Sequence, residues 1–293
     1  MPTPKRQPLP SPPSSPPSSN LDAFLARLNK CLSTPSGIDT VMLFICYTSK
    51  LSSAILSSLS KSALRRSARE WIALVASLPR GTTVVFSSPT ATVGGKTAIP
   101  SAAALALLFS KRLAALSGLM SEARLILRLW ALLGMYFWAR DLLRKTFSSS
   151  KDASEKQSTP KSTKLDTTIE FLRLGLCIIL QSLENGAYLS ARGVMSWTPA
   201  QQGKAYLWSA RFWAAYVGIE LGKLAAERFG PATTIKTQEE KSEWKKKAAK
   251  NLAWAPLTLH WSSEKGLVSE LAVGALASIP GFIQIRDLWA STA

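Results

Sequence analysis

The longest apolar stretches of this chain are each as long as a helix, and each is broken or bordered by charge. Leu125 to Ala139 carries Arg128, Phe171 to Leu189 carries Arg173 and Glu184, and Leu267 to Ile285 carries Glu270. A simple membrane anchor needs about 20 consecutive apolar residues, and none of these blocks reaches that length uncharged. A helix on the surface of a soluble bundle has a polar side, whereas 129–139 has none. Such segments suit short spans packed on one another, or helices lying in a bilayer interface.

Charge points the same way. Lys and Arg number 36 against 18 Asp and Glu, a formal net charge of +18. The first half holds few acids: Asp22, Asp39, Glu70, Glu122 and Asp141. A basic surface attracts anionic lipid and nucleic acid alike. Here the bases stand beside Leu, Trp and Phe, with no nucleic-acid-binding motif, so a phospholipid membrane is the expected partner and nucleic acid is not. The three cysteines, Cys31, Cys46 and Cys177, have neither metal spacing nor a disulfide framework, which predicts buried free thiols in a reducing compartment.

Punctuation and periodicity divide the chain. Residues 1–20, rich in Pro and Ser, read as a disordered tail. They lack the apolar core of a secretory leader. Residues 21–147 form an N-terminal helical, membrane-associating region, 148–166 a polar linker, and 167–293 a C-terminal helical region. Predicted helices cover Leu21 to Leu32, Ile38 to Leu59 and Lys61 to Leu78, then Ser101 to Phe147 with a possible break at Ser117-Gly118. Further helices follow from a capping box at Thr167 and Glu170 to about Ser196, from Ala200 to Arg228, within 236–250, and from Gly266 to Trp289. Candidate membrane spans lie at about 168–192, 205–228 and 267–289, with Pro280 a potential kink and Arg286 and Trp289 placed for interfacial anchoring. The fold class is therefore all-α: a membrane-associated helical bundle with amphipathic interfacial helices and a few short transmembrane helices.

The sharpest two-faced pattern is Lys61 to Leu78. At 100° per residue Leu64, Ala68, Trp71, Val75 and Leu78 fall in one narrow arc, while Arg65, Arg66 and Arg69 project away. This suits a helix that inserts Leu64, Trp71 and Val75 into lipid and holds headgroups with its arginines; an ordinary bundle helix with a solvated basic face has the same pattern. Arg124 and Arg128, one turn apart, can meet lipid phosphates or glutamates elsewhere in the chain. Gly218 and Gly222, four apart, permit close helix approach, either between copies or within one protomer.

Other signals carry less chemistry. Gly94-Gly95-Lys96-Thr97 ends like a phosphate-binding loop, but Thr90 stands where the Walker pattern needs Gly, so a flexible glycine loop is expected. His260 is the only histidine and is expected to be a hydrogen-bonded structural residue. No serine or cysteine has a partnered acid and base, so catalytic residues, metal ligands and cofactors are all expected to be none.

Four blocks, in order, resemble one known family. Thr34-Pro35-Ser36-Gly37-Ile38-Asp39-Thr40 leading to Tyr47-Thr48-Ser49-Lys50-Leu51 is similar to the opening helix of the peroxin-eleven family of peroxisomal membrane proteins. Ser121-Glu122-Ala123-Arg124-Leu125-Ile126-Leu127-Arg128-Leu129 resembles its central Arg-bearing helix, and Arg211-Phe212-Trp213-Ala214-Ala215-Tyr216-Val217 a later aromatic segment. Asn251-Leu252-Ala253-Trp254-Ala255-Pro256-Leu257-Thr258-Leu259-His260-Trp261-Ser262 is similar to the block before the last apolar helix in gamma-type or fungal C-type members. The resemblance implies a non-enzymatic protein of the peroxisomal membrane that elongates the membrane before fission, self-associates and meets fission-machinery adaptors. Family members place Arg and Lys around the Gly-x-Asp start of the first amphipathic helix, where this chain has Ile38 and Thr40, so the basic role is expected to pass to Lys61 to Leu78. Two other readings accompany it: a peroxisomal pore or metabolite carrier with Arg124, Arg128, Arg173 and Glu184 lining a lumen, and a soluble helical scaffold.

Overall fold

The computed structural model describes residues 20–78, 92–93, 96–97, 101–152, 161–230 and 237–292. The expected tail at 1–20 falls almost wholly outside them, as does the middle of the expected linker. Eight helices run through the described residues: α1 (Asn20–Cys31), α2 (Pro35–Ala76), α3 (Ser101–Arg128), α4 (Ala131–Asp152), α5 (Lys161–Ala191), α6 (Pro199–Phe229), α7 (Gln238–Trp261) and α8 (Glu270–Ser291). The fold is all-α, and among the described residues there is besides one antiparallel pair of two-residue strands, in which Thr92 faces Thr97 and Val93 faces Lys96. Lys96-Thr97 is thus extended backbone and not the first turn of a phosphate-binding helix.

Helix ends follow local chemistry. Thr34 caps α2 by accepting a hydrogen bond from the Gly37 amide at 3.1 Å, with Pro35 in the first turn. Thr198 with Gln201 and Thr237 with Glu240 form complete capping boxes at α6 and α7. Elsewhere the boundaries depart from expectation. The two helices expected over 38–78 are one rod of 42 residues, about 63 Å long. The helix expected to break at Ser117-Gly118 runs through both and breaks at Leu129-Trp130. There the Asn185 side chain donates to the freed Leu129 carbonyl at 3.4 Å, and α4 turns away to lie on α5. Helix α5 starts upstream of the Thr167 box, whose Glu170 pairs with Arg173 and Lys223.

Packing order differs from chain order. Helices α2, α8, α7, α6 and α5 lie against one another in turn, and α3 touches both α2 and α5, so six helices close a circuit. The innermost cluster joins α7 to α8 through Leu257, Val273 and Ala277, with Tyr47, Trp254 and Trp261 against it. Helix α8 approaches α2 closely because Gly274 lies there: a Cβ on it would stand 2.9 Å from the Leu51 Cα. One turn on, the Ser278 hydroxyl donates to the Tyr47 carbonyl at 3.3 Å.

Among the described residues, three helices are long and apolar enough to cross a membrane: α2, α3 over 102–128, and α8. No more than a third of the apolar window of each is buried inside the protein. Leu105, Leu108, Phe109 and Leu119 of α3 and Leu271, Ile279 and Phe282 of α8 are exposed. Outward-facing apolar surface on this scale belongs to a membrane-associated protein. The expected span at 267–289 coincides with α8; those at 168–192 and 205–228 fall on α5 and α6, which are not among the three.

Candidate membrane-interface site

Buried contacts along α2 stop at Ser60, and its last turns pass beyond them. On this end Arg65, Arg66 and Arg69 are exposed, Leu64 and Trp71 are half-buried, and Val75 is 45% exposed. The arginines and the apolar arc share one helix end as the periodicity requires. Arg66 meets Glu70 at 3.3 Å, one turn away and in the open, where such a pair is worth about 0.5 kcal/mol. Ile72 and Leu74, outside the expected arc, are exposed at 68% and 42% and widen the apolar surface. Aliphatic groups left in the open beside three arginines are arranged for an interface between lipid tails and headgroups.

The rest of α2 forms a hairpin with α3, in steps of seven. Asp39 accepts from Arg124 at 2.8 and 3.4 Å. The Cys46 thiol donates to the Ser117 carbonyl at 3.4 Å. Ser53 and Ser110 exchange hydroxyl-to-carbonyl bonds at 2.8 and 2.9 Å. Ser60 and Ala103 occupy the next step, and both are buried. Small side chains at every second turn let two backbones approach, and hydroxyls that bond the facing carbonyls suit a lipid environment. Hydrophobic periodicity passed over this ladder because its rungs are Ser, Cys and charges. A period of seven in small residues, Cys46, Ser53 and Ser60 against Ala103, Ser110 and Ser117, was the available signal.

Charges inside the apolar helices find one another. Besides Asp39–Arg124, Arg128 on α3 meets Glu184 on α5 at 3.3 Å. The Tyr188 hydroxyl of α5 and Arg192, in the turn just after it, converge on Glu122 of α3. Arg173 is held by Glu170, by Glu220 of α6, and by the Tyr216 hydroxyl at 3.2 Å. Lys50 reaches Glu270 at 2.8 Å, tying α2 to the start of α8. Outside the spanning helices, Lys246 of α7 bonds Glu243 at 2.8 Å and Asp287 at 2.9 Å, and these contacts hold its ammonium above the usual lysine range. Arg124, Arg128, Arg173 and Glu184, proposed together for a lumen, thus stand in helix-to-helix pairs.

Remaining candidates take other places. Gly218 and Gly222 are exposed, and a Cβ on either would meet nothing within 4 Å among the described residues. His260 accepts from the Leu267 and Val268 amides at 2.7 and 3.0 Å, fastening the turn between α7 and α8. Trp289 lies under Arg27, 4.4 Å from its ring, and against Phe24 of α1 at 5.4 Å, so this expected interfacial anchor also docks the first helix.

Comparison with known proteins adds little. An uncharacterised protein of Schizosaccharomyces pombe is 32% identical over 106 residues, which is 36% of this chain and 51% of that protein. The chain thus spans about half the length of the relative it matches. No family model matches the chain. No solved structure matches it.

Proposed function

We propose that this is a peroxisomal membrane protein that shapes and elongates the membrane on the way to fission, without catalysis. The observation that carries the reading is the end of α2 beyond Ser60, where three exposed arginines stand with exposed Ile72, Leu74 and Val75 and half-buried Trp71. Such a segment wedges its apolar side under the headgroups of one leaflet and expands that leaflet relative to the other, which bends the bilayer. The four blocks resembling the peroxin-eleven family support the organelle, self-association and the recruitment of fission-machinery adaptors. Pairing of Arg124, Arg128, Arg173 and Glu184 with protein partners favours shaping over conduction, since charges lining a pore stay open to water.

The test is reconstitution of the full chain into giant vesicles containing anionic lipid. Wild type is expected to draw tubules, and a triple Arg65→Gln, Arg66→Gln, Arg69→Gln variant to insert normally but leave the vesicles round. Each lost charge removes about 1 kcal/mol of attraction to an anionic surface. Equal tubulation by the variant would refute the role of this helix end. In cells, deletion is expected to give fewer, larger peroxisomes; unchanged organelles would refute the peroxisomal assignment.

A further inference from the structure

A cleft of about 590 Å³ opens between α5, α6 and the turn that follows α7. That volume lies within the range of small-molecule sites, about 300–1,000 Å³. Its lining includes Trp213 and Trp261, stacked with centroids 5.5 Å apart and planes 9° from parallel, together with Tyr206. Two carboxylates, Glu184 and Glu264, and one ammonium, Lys204, supply the charges of the wall, and Ser209 and Ser263 its hydroxyls. Glu184 is already engaged by Arg128 at 3.3 Å and by the Gln181 amide at 3.4 Å, whereas Glu264 stands exposed on the turn. Indoles beside a carboxylate are the surroundings that a quaternary ammonium prefers. An ammonium such as Lys204 is a phosphate ligand. A cleft carrying both recognises a zwitterion.

Its position selects the source. The turn after α7 leads directly into α8, one of the three helices able to cross a bilayer. With α8 across the membrane, the mouth of the cleft lies at one end of a span, at the level of the headgroups where Trp and Tyr collect. We propose that the cleft binds the phosphocholine headgroup of a bilayer lipid, with trimethylammonium against Trp213, Trp261 and Glu264 and phosphate on Lys204. The inference rests on α8 crossing the membrane and not on the role given to the end of α2, so either can fail alone.

The test uses the full chain in maltoside micelles, free of choline, with soluble phosphocholine titrated against intrinsic tryptophan fluorescence. A saturable change is expected. Glu264→Gln should weaken it about twofold to fivefold, the worth of one exposed charge pair. Lys204→Gln should weaken phosphocholine similarly and leave choline unaffected. Both positions are exposed, so folding is not at stake. A second arm reconstitutes the protein in nanodiscs of mixed phosphatidylcholine and phosphatidylethanolamine and counts the lipid retained on re-extraction by mass spectrometry. Wild type should retain phosphatidylcholine preferentially, and Glu264→Gln should not. No saturable response, variants that bind as wild type does, or soluble phosphocholine bound without phosphatidylcholine preference would each overturn the proposal, the last by making a free choline ester the occupant.

Discussion

The seven-residue ladder between α2 and α3 can be tested with one substitution, because one rung already carries a thiol. Cys46 Sγ stands 3.6 Å from Ser117 Oγ, so Ser117→Cys sets two sulfurs within reach of an S–S bond of about 2.05 Å after small side-chain rotations. The bond would close a separation of 71 residues. In the chain-entropy description a loop of that size gives a ceiling of about 4.4 kcal/mol of stabilisation. Helices that stay formed after separating in lipid have less entropy to lose, so the measured gain should fall below that ceiling. The assay is oxidation of membranes with copper phenanthroline, followed by non-reducing electrophoresis and thermal unfolding in detergent. Ser117→Cys should form an intramolecular bond and unfold at higher temperature when oxidised. Two controls should not: Cys46→Ser with Ser117→Cys lacks the partner, and Gly118→Cys projects where nothing lies within 4 Å. Cross-linking of Gly118→Cys but not of Ser117→Cys would place the hairpin in another register and refute the ladder.

Two more outcomes follow from the packing. Asp39→Asn leaves Arg124, whose side chain is only 13% exposed, without its counter-charge; a loss of about 3 kcal/mol is expected, and Asp39→Leu with Arg124→Met should recover most of it, as read by thermal unfolding of the detergent-solubilised protein. Gly186→Ala drives a methyl into the Trp197 ring, so a destabilisation of about 1–3 kcal/mol is expected, together with a shift in Trp197 emission; an unchanged melting temperature would show that the ring is free to move aside.

Much of the architecture was readable because greasy helices announce themselves. Composition and periodicity gave an all-α, membrane-associated chain, and α1, α6 and α8 begin and end within a few residues of expectation. Misplaced boundaries share a cause: they are set by contacts distant in sequence. Gly118 looks like a breaker, yet the helix runs through it with open space beside it. Leu129-Trp130 looks like uninterrupted helix, yet the chain turns there because α4 packs on α5 and Asn185 takes up the loose carbonyl. Ser60 reads as a polar boundary, but it is 2% exposed inside α2 and belongs to the contact with α3. Partners of the buried charges were equally hidden, since nothing local links Arg124 to Asp39 or Arg128 to Glu184 across the intervening chain. At the end of α2 beyond Ser60, by contrast, the helical wheel and the structure agree, with Arg65, Arg66 and Arg69 all exposed.

From Ile38 to Ala76 the second helix contains neither proline nor glycine, the residues at which helices ordinarily bend. It therefore works as a stiff lever with no hinge. Any tilt imposed on the arginine-bearing tip by a curved surface must reappear at the opposite end, where the Asp39–Arg124 clasp sits, so local membrane geometry and the fit of the hairpin are mechanically one variable.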